Sequence, residues 1–224
     1  REGLGYDRND VAVVTNVTAD HLGLGGIDTV SQLANVKGVL VDAVPRSGTA
    51  VLNADDANVY RMGRHCDGRV VLFTMAKHKG EDGYDRADGH TNRGNAAFCL
   101  EDTPQGELLV LKHGPRKMPV VYTHLIPSTF NGRARMNVAN ALAAAAAAWA
   151  AGAHLHDIRQ GLRTFTTSFF QAPGRLNELD VRGFKVVIDY SHNVDGMRQL
   201  AEFVRLTMTG HGRRRGAARG GGAS

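Results

Sequence analysis

Hydrophobic and polar residues alternate in blocks that predict strands and helices in turn. Short runs of β-branched and other apolar residues predict three buried strands, at residues 11–17, 49–56 and 69–75. Between the first two, apolar residues at helical spacing predict a helix over 28–43, with Asp28 or Thr29 as its N-cap. Strands that are apolar throughout occur in parallel sheets covered on both faces, so we expect an α/β fold with right-handed crossovers.

The pattern then changes. Residues 76–95 are rich in Gly, Asp, Lys and Arg without periodicity, which predicts an irregular or mobile connection. The alternating stretches AAFCLED and ELLVLKHG, separated by TPQG, predict a β-hairpin. An Ala-rich segment at 136–151 predicts a helix ended by Gly152, and 157–165 predicts another helix. A last buried strand is predicted at 184–190, where a second unit opens.

Composition and charge narrow the function classes. The hydrophobic fraction of 42% and the charged fraction of 22% are typical of a globular protein. The formal net charge is +5, but residues 210–224 hold four arginines and no acid, so the rest of the chain carries only +1. The basic character therefore lies in an Arg/Gly-rich tail and gives little support to a specific nucleic-acid interface.

Cysteine usage and apolar runs indicate the compartment. Cys66 and Cys99 are the only cysteines, and their spacing fits neither a disulfide framework nor a zinc cluster. The longest apolar run, 139–151, is interrupted by Asn140 and is too short to span a bilayer. The chain also opens on charged residues rather than on a secretory signal. These features predict a cytoplasmic location without membrane attachment.

Polar residues cluster directly after three of the predicted strands, at 15–21, 53–56 and 189–193. Because the carboxyl ends of parallel strands form the ligand-binding edge of an open sheet, these clusters are candidate parts of one site. Asn, Asp and Ser equally serve as helix N-caps and turn residues, so the spacing alone leaves a structural role open.

Three further residues are candidates because of their positions. Asn137 and Asn140 lie three apart in the first turn of the Ala-rich helix, so both side chains lie on one face, whereas a cap needs only one of them. Arg175 follows a Pro-Gly turn, a rigid mount for a guanidinium directed at phosphate or carboxylate. The alternatives are a solvated turn arginine and an Ala-rich helix that simply allows close packing.

Five motifs occur in the order and approximate spacing found in the Mur ligase superfamily: TNVTADHLG, LNADD, NVANALAAAAA, PGRLN and DYSHN. The stretches REGLGYDRNDVAVVTN, DHLGLGGIDT, QGLRTF and DYSHNVDGMRQL resemble more closely the carboxy-terminal module of its cyanophycin-synthesising members. The resemblance covers about residues 1–206. It implies a partial central ATPase domain at 1–172, with a parallel-rich sheet, flanking helices and a β-hairpin portion. It further implies the start of a Rossmann-like C-terminal domain at 173–209 and a disordered tail at 210–224.

The resemblance also implies a chemistry, the ATP-dependent joining of a carboxylate and an amine. The γ-phosphoryl group of ATP passes to the carboxylate, and the amine then displaces phosphate from the acyl phosphate, while Mg²⁺ neutralises phosphate charge. His21 matches the family's magnesium-ligand histidine. Lys37 matches a lysine that many members carry as a carbamate, an anionic ligand for a second Mg²⁺, although a lone lysine on an amphipathic helix is usually solvated. His21 and Lys37 are thus the predicted catalytic and metal-binding residues.

Nucleotide binding is assigned by the resemblance to residues from separate segments, namely Asn137, Asn140, Arg175, Asp189, His192 and Asn193. The two helix asparagines match positions near the nucleotide base. Arg175 and Asp189 match an ATP-binding arginine and an aspartate of the C-terminal domain, and the last two residues belong to the same loop as Asp189.

Substrates follow from the closer resemblance. It implies that arginine is added to the aspartate side-chain carboxylates of a poly-Asp chain, cyanophycin, by a homo-oligomeric enzyme. The stretches LGLGGIDT and FTTSFFQAPGRLN favour this over a peptidoglycan-precursor or folylpolyglutamate ligase. A nucleic-acid-binding protein that uses the Arg/Gly tail is the alternative from another class. The family's G-x-x-x-x-G-K-[ST] loop does not occur, since the sequence has no Gly-Lys dipeptide, and we expect an internal fragment that is inactive alone.

Overall fold

The computed structural model describes residues 4–20 and 22–217, with side chains described up to residue 208. The strands in this part are β1 (Val11–Val14), β2 (Thr49–Asn53), β3 (Arg69–Thr74), β4 (Ala96–Thr103), β5 (Gly106–His113), β6 (Arg116–Tyr122), β7 (Asn177–Val181) and β8 (Phe184–Ile188). The α-helices are α1 (Val30–Asp42), α2 (Ala57–Met62), α3 (Asp82–Asn92), α4 (Arg135–Ala150), α5 (Leu155–Thr164) and α6 (Val194–Ala217). Short 3-10 helices lie at Gly63–His65, Thr123–Leu125 and Pro127–Thr129.

Six strands form one sheet in chain order, from β1 to β6. β1 to β4 are parallel, and α1, α2 and α3 each connect one of them to the next. The predicted α/β fold with a parallel sheet is therefore confirmed. The predicted hairpin is confirmed as well, because β4 and β5 pair antiparallel. β6 then pairs with β5, and it was missed because Pro119 and charged residues interrupt its alternation.

Different helices cover the two faces of the sheet. Leu52 of β2 belongs to a core shared with α1, α2 and α3, whereas its neighbour Val51 belongs to a core shared with α4 and α5. Both residues are fully buried. Successive residues of a strand point to opposite faces, so a strand covered on both sides consists of apolar residues throughout.

Helix ends follow the local sequence signals. Thr29 is the N-cap of α1 in a capping box, in which its hydroxyl oxygen accepts from Gln32 N at 3.2 Å and the Gln32 side chain accepts from Thr29 N at 3.0 Å. α4 ends at Ala150 and is followed by Gly152, whose φ of 95° favours glycine. The amide of Ala153 reaches the Ala148 carbonyl at 2.9 Å, so the helix ends in a Schellman motif.

The alanines of α4 allow this helix to lie close to the sheet. Ala141, Ala145 and Ala146 are buried together with Val138 and Leu142. The helix contacts all four parallel strands, which long side chains at these positions would prevent. Close packing therefore explains most of the alanine content.

The prediction of an irregular connection at 76–95 is wrong, because α3 lies within it. Its buried residues are Gly83, Ala87, His90 and Thr91, of which only alanine is an ordinary apolar core residue. The apolar stripe that marks an amphipathic helix was therefore absent from the sequence. Gly83 is required by packing, since an added Cβ would overlap the Asp55 carboxylate.

The prediction of a buried strand at 184–190 is also wrong. β8 pairs only with β7 in a separate two-stranded sheet, and Phe184 and Ile188 are exposed. The apolar run was correct for a strand, but in the described part of the chain no layer covers both of its faces. α6 extends to Ala217 and so overlaps the predicted tail, whose residues 218–224 lie outside the described residues. The described helices include none that is long and apolar enough to cross a bilayer.

His90 makes the stability of the fold dependent on pH. Its Nε2 lies 2.9 Å from the carbonyl oxygen of Val70, and burial lowers the pKa of His90 despite this bond. A histidine whose pKa is lower in the folded than in the unfolded protein stabilises the fold at pH values above its unfolded pKa of about 6.5. This stabilisation is lost as the pH falls below that value. The free energy of unfolding should therefore fall by up to about 1.4 kcal/mol per pH unit below that point. Urea titrations at pH values from 7.5 to 5 measure this fall in the free energy of unfolding.

The matched variants are His90→Gln and His156→Gln. Glutamine at 90 keeps an N–H donor but cannot gain a proton, so the pH slope in this range should flatten. His156 is exposed, and its replacement should leave the slope unchanged. An equal slope in the wild type and in His90→Gln would show that other groups cause the pH dependence.

Candidate functional site

A cleft of about 890 Å³ lies between α4, α5 and the segment that follows α5. One part of its lining is apolar and includes Ala141, Ala144, Ala145, Leu162 and Phe165. The other part is polar and includes Asn16, Thr18, Asn137, Asn140, Arg175, Asp189 and Asn193. The cleft thus offers an apolar surface beside a set of amide, hydroxyl and charged groups, as small-molecule sites do.

Two asparagines near the start of α4 are held in place by hydrogen bonds. Asn137 Nδ2 donates to the Ser128 carbonyl at 2.7 Å, and Asn140 Nδ2 donates to Asn137 Oδ1 at 3.4 Å. Ala134, the N-cap residue, makes no side-chain cap. Neither asparagine is therefore the cap of α4, and both line the cleft.

Arg175 lines the cleft, and its guanidinium lies over an aromatic ring. Its guanidinium carbon is 5.4 Å from the centre of the Tyr190 ring, a cation–π distance. Among the described residues, none accepts a hydrogen bond from this guanidinium, so its N–H groups are available to an anionic ligand.

Asp189 supports the turn that carries Arg175. One carboxylate oxygen accepts from Leu176 N at 2.9 Å, and the other accepts from the Ser191 hydroxyl at 2.6 Å. Leu176 has a φ of 50°, a conformation that is unusual for leucine and persists only where surrounding bonds offset its cost. Asp189 therefore lines the cleft and also fixes its wall.

The loop after β8 supplies one cleft residue and one neighbour of the cleft. Asn193 lines the cleft, and its Oδ1 accepts from Gly196 N at 2.8 Å, which caps the start of α6. His192 does not line the cleft. Its Nδ1 is 3.1 Å from the Tyr190 carbonyl, and its Nε2 is 3.7 Å from Asp20 Oδ2. His192 thus links this loop to the loop after β1.

The predicted metal ligands are placed less directly. His21 lies outside the described residues. Lys37 is outside the cleft lining, but its Nζ is 3.4 Å from the carbonyl oxygen of Asn16, which lies in the lining. The part of the chain that the structure describes contains no group of three His, Cys, Asp or Glu side chains able to hold a metal.

The cluster after β2 holds the sheet edge together. Asp56 is the N-cap of α2, and its second oxygen accepts from Val17 N at 2.7 Å. Asn53 Nδ2 donates to the Thr15 carbonyl at 2.8 Å. The Asp55 carboxylate accepts hydrogen bonds from the Thr74 hydroxyl and, at 2.7 Å, from the backbone N–H of Met75. The cluster therefore has a structural role, and its part in a ligand site stays a prediction.

A charged cluster that the sequence did not reveal fixes the start of α4. The Arg135 guanidinium forms a fork with Glu107, with Nη1 2.5 Å from Oε2 and Nη2 3.1 Å from Oε1. Lys77 Nζ lies 2.9 Å from Glu107 Oε1. Burial alone would raise the pKa of Glu107, but the bonds from Arg135 and Lys77 outweigh it and lower this pKa. Glu107 thus neutralises the charge of Arg135, which lies at the N-terminus of α4 near the two asparagines. Without this partner, a cation would be unfavourable at the positive end of the helix dipole.

Comparison with known proteins decides the family. Residues 5–148 match the model of the Mur ligase middle domain. The chain belongs to the Mur ligase family. The resemblance to this family is thereby confirmed, and three of the five motifs lie within the matched range. The matched range ends at 148, so the domain boundary at 172 and the tail at 210–224 stay predictions.

The curated relatives of this Mur ligase chain include cyanophycin synthetases. It is 41% identical over 222 residues to the cyanophycin synthetase of Synechocystis sp., which covers 99% of the chain and 24% of the relative. It is 40% identical over 205 residues to that of Crocosphaera subtropica, with 92% and 22% covered. The chain thus spans about a quarter of the length of these relatives. A more distant relative is the Escherichia coli UDP-N-acetylmuramoyl-tripeptide--D-alanyl-D-alanine ligase, at 27% identity over 205 residues.

Solved structures show the same fold. MurF from Acinetobacter baumannii superposes with a TM-score of 0.59 at 22% sequence identity, covering 89% of this Mur ligase chain and 38% of the MurF chain. The match confirms the α/β architecture with a mostly parallel sheet and flanking helices.

Proposed function

We propose that the chain provides part of the ATP-binding site of a ligase that adds arginine to the aspartate side chains of cyanophycin. One observation carries the proposal. Asn137, Asn140, Arg175, Asp189 and Asn193, which come from three separate segments, line a single cleft. They do so in a chain that is 41% identical to a cyanophycin synthetase over 99% of its length.

The cleft has the chemistry that a nucleotide requires. The apolar surface of α4 and α5 suits a flat base, and the amides of Asn137 and Asn140 can donate to and accept from its edge. The guanidinium of Arg175 suits a phosphate oxygen, because a charge-assisted bond of this kind is shorter and stronger than a neutral one. The loop of Asp189 closes the wall around it.

The proposed ligation takes place in two steps. A carboxylate oxygen of the polymer attacks the γ-phosphorus of ATP, and the bond from that phosphorus to the β,γ-bridging oxygen breaks to release ADP. The amine of arginine then attacks the acyl phosphate, the carbon–oxygen bond to phosphate breaks, and the amine loses a proton as the amide forms. In this scheme the cleft residues bind and orient ATP, and Mg²⁺, when bound, neutralises phosphate charge. His21 is proposed to hold one metal ion, and Lys37, once it is carbamylated, is proposed to hold a second.

Other Mur-type ligases are the alternative. The chain is 27% to 31% identical to the three peptidoglycan-precursor ligases compared with it, whereas its identity to the five cyanophycin synthetases is 39% to 41%. The higher identity favours arginine and a poly-Asp chain over a muramoyl peptide. The homo-oligomeric state implied by the resemblance is part of the same proposal.

The function is tested with the protein in its natural full length. We expect labelled arginine to enter a poly-Asp primer only when ATP is present, with one ADP released for each arginine added. Lysine in place of arginine serves as the control for a non-specific acceptor amine. ADP release with a muramoyl peptide and an amino acid, without any release with arginine and primer, would support the alternative ligase and refute the proposal.

A further inference from the structure

The turn that carries Arg175 is built around one buried amide, that of Asn177. Only 1% of Asn177 is exposed, and its side chain lies behind the cleft wall rather than in the lining. A buried amide of this kind needs partners for its two N–H groups and its oxygen, since an unmade hydrogen bond is costly there.

Asn177 uses its groups on the backbone of the cleft wall. Its Oδ1 accepts from Gly174 N at 2.7 Å. Its Nδ2 donates to the carbonyl oxygens of Thr167 at 2.7 Å and Ala172 at 2.9 Å, with that of Arg175 at 3.4 Å. Thr167, Ala172 and Arg175 all line the cleft. A single side chain thus joins three separate points of one wall.

The turn between these points is held from both sides. Asp189 accepts from Leu176 N, and Asn177 accepts from Gly174 N, so the amides on either side of Arg175 are both bound by side chains. Gly174 and Leu176 have φ values of 71° and 50°, a pair of left-handed residues that a free turn would rarely keep. The direction of the Arg175 side chain therefore depends on these two supports.

We propose that Asn177 is a positioning residue for nucleotide binding, which acts through Arg175 and does not touch the ligand. The inference rests on the proposed function, in which Arg175 binds the phosphates of ATP. A positioning role differs from a purely structural role. An amide that only stabilised the fold would affect stability, but its effect on ATP affinity would not depend on the Arg175 guanidinium.

Asn9 offers a matched control. It is a half-buried asparagine on the far side of the sheet from the cleft, and its Nδ2 donates to the Leu40 carbonyl at 3.0 Å. Its replacement by alanine removes the same kind of bond between a side-chain amide and a backbone carbonyl. It should lower stability without changing the cleft.

The test is a double-mutant cycle on ATP-analogue affinity in the full-length protein. We expect Asn177→Ala to weaken binding about fivefold, a smaller effect than that of Arg175→Ala. The double variant should bind no more weakly than Arg175→Ala, because the amide has nothing left to position. Asn9→Ala should bind as the wild type does, and its effect should be independent of Arg175.

Hydrogen exchange of the ligand-free protein accompanies the cycle. The peptide that covers 172–177 should exchange faster in Asn177→Ala, and faster still in Asn177→Asp, whose buried carboxylate lacks the donors for three carbonyls. Urea titration of each variant confirms that it is folded.

The outcomes separate the two proposals. Independent, additive losses from Asn177→Ala and Arg175→Ala would overturn the positioning role, as would unchanged affinity in Asn177→Ala. A wild-type protein that does not bind ATP would refute the proposed function, and the inference that rests on it falls with it.

Discussion

Replacing Gly83 by alanine is expected to lower the free energy of unfolding by about 3 kcal/mol. An added Cβ would overlap Asp55 Oδ1 and would lie 2.7 Å from Thr74 Oγ1. The carboxylate cannot move freely, because it accepts hydrogen bonds from the Thr74 hydroxyl and from Met75 N. The variant must either break these bonds or push α3 away from the sheet. Urea unfolding at neutral pH measures the loss.

Gly89→Ala is the matched control in the same helix. There the added Cβ would meet only Arg93 Nη1, at 3.7 Å, and no backbone or buried group. Alanine at this position should be neutral or should stabilise α3 by roughly 0.5–1 kcal/mol, through its helix propensity. Equal stabilities of the two variants would show that α3 does not pack on Asp55 as closely as the structure indicates.

Arg175→Ala is expected to weaken ATP binding by at least about tenfold, and apo stability should change little. A charge-assisted hydrogen bond to phosphate contributes about 1.5–3 kcal/mol. In the ligand-free protein the guanidinium contacts only the exposed face of Tyr190 among the described residues, which contributes much less. Calorimetric titration with a non-hydrolysable ATP analogue gives the affinity, and thermal unfolding without ligand gives the stability.

Arg163→Ala controls for the change in net charge. Arg163 is exposed in the last turn of α5 and does not line the cleft. Its replacement should leave the affinity unchanged. Small-angle scattering adds a second readout, since the bond to phosphate should favour a closed arrangement around ATP. ATP-induced compaction as large in Arg175→Ala as in the wild type would contradict the role of this arginine.

The parallel sheet was predictable because the signals for its strands and helix ends lie within short stretches of the sequence. Residues 49–52 of β2 are all buried, and their uninterrupted run of non-charged, mostly apolar residues indicated a strand covered on both faces. Thr29 and Gly152 marked helix ends through capping chemistry that needs no tertiary contact.

α3 was not predictable because tertiary contacts decide it. Its buried face consists mainly of glycine, histidine and threonine, and it is held by bonds such as that of His90 to the Val70 carbonyl. β8 failed for the opposite reason. Its composition is that of a covered strand, but the described chain places it in a two-stranded sheet with exposed side chains.

The candidate site was predictable only as far as motifs reached. Asn137, Asn140 and Arg175 stood out by spacing and turn chemistry, and Asp189 and Asn193 stood out because they follow a predicted strand. The family motifs then gave all five a nucleotide-binding role. Glu107 and Asn177 had no such signal, because each lies at the start of a strand and its partners are distant in sequence or on the backbone. His192 belongs to a motif, but its contacts are with Tyr190 and Asp20 rather than with the cleft.

A hydrogen-exchange footprint of a non-hydrolysable ATP analogue on the full-length protein tests most directly whether this cleft binds the nucleotide. We expect slower exchange in the peptides that cover 137–140, 172–176 and 189–193, which contain cleft-lining residues. We expect no change in the β4–β5 hairpin, which lies outside the lining. Saturating analogue that leaves all three cleft peptides unchanged, or that protects only segments away from the cleft, would contradict the claim that this cleft binds the nucleotide.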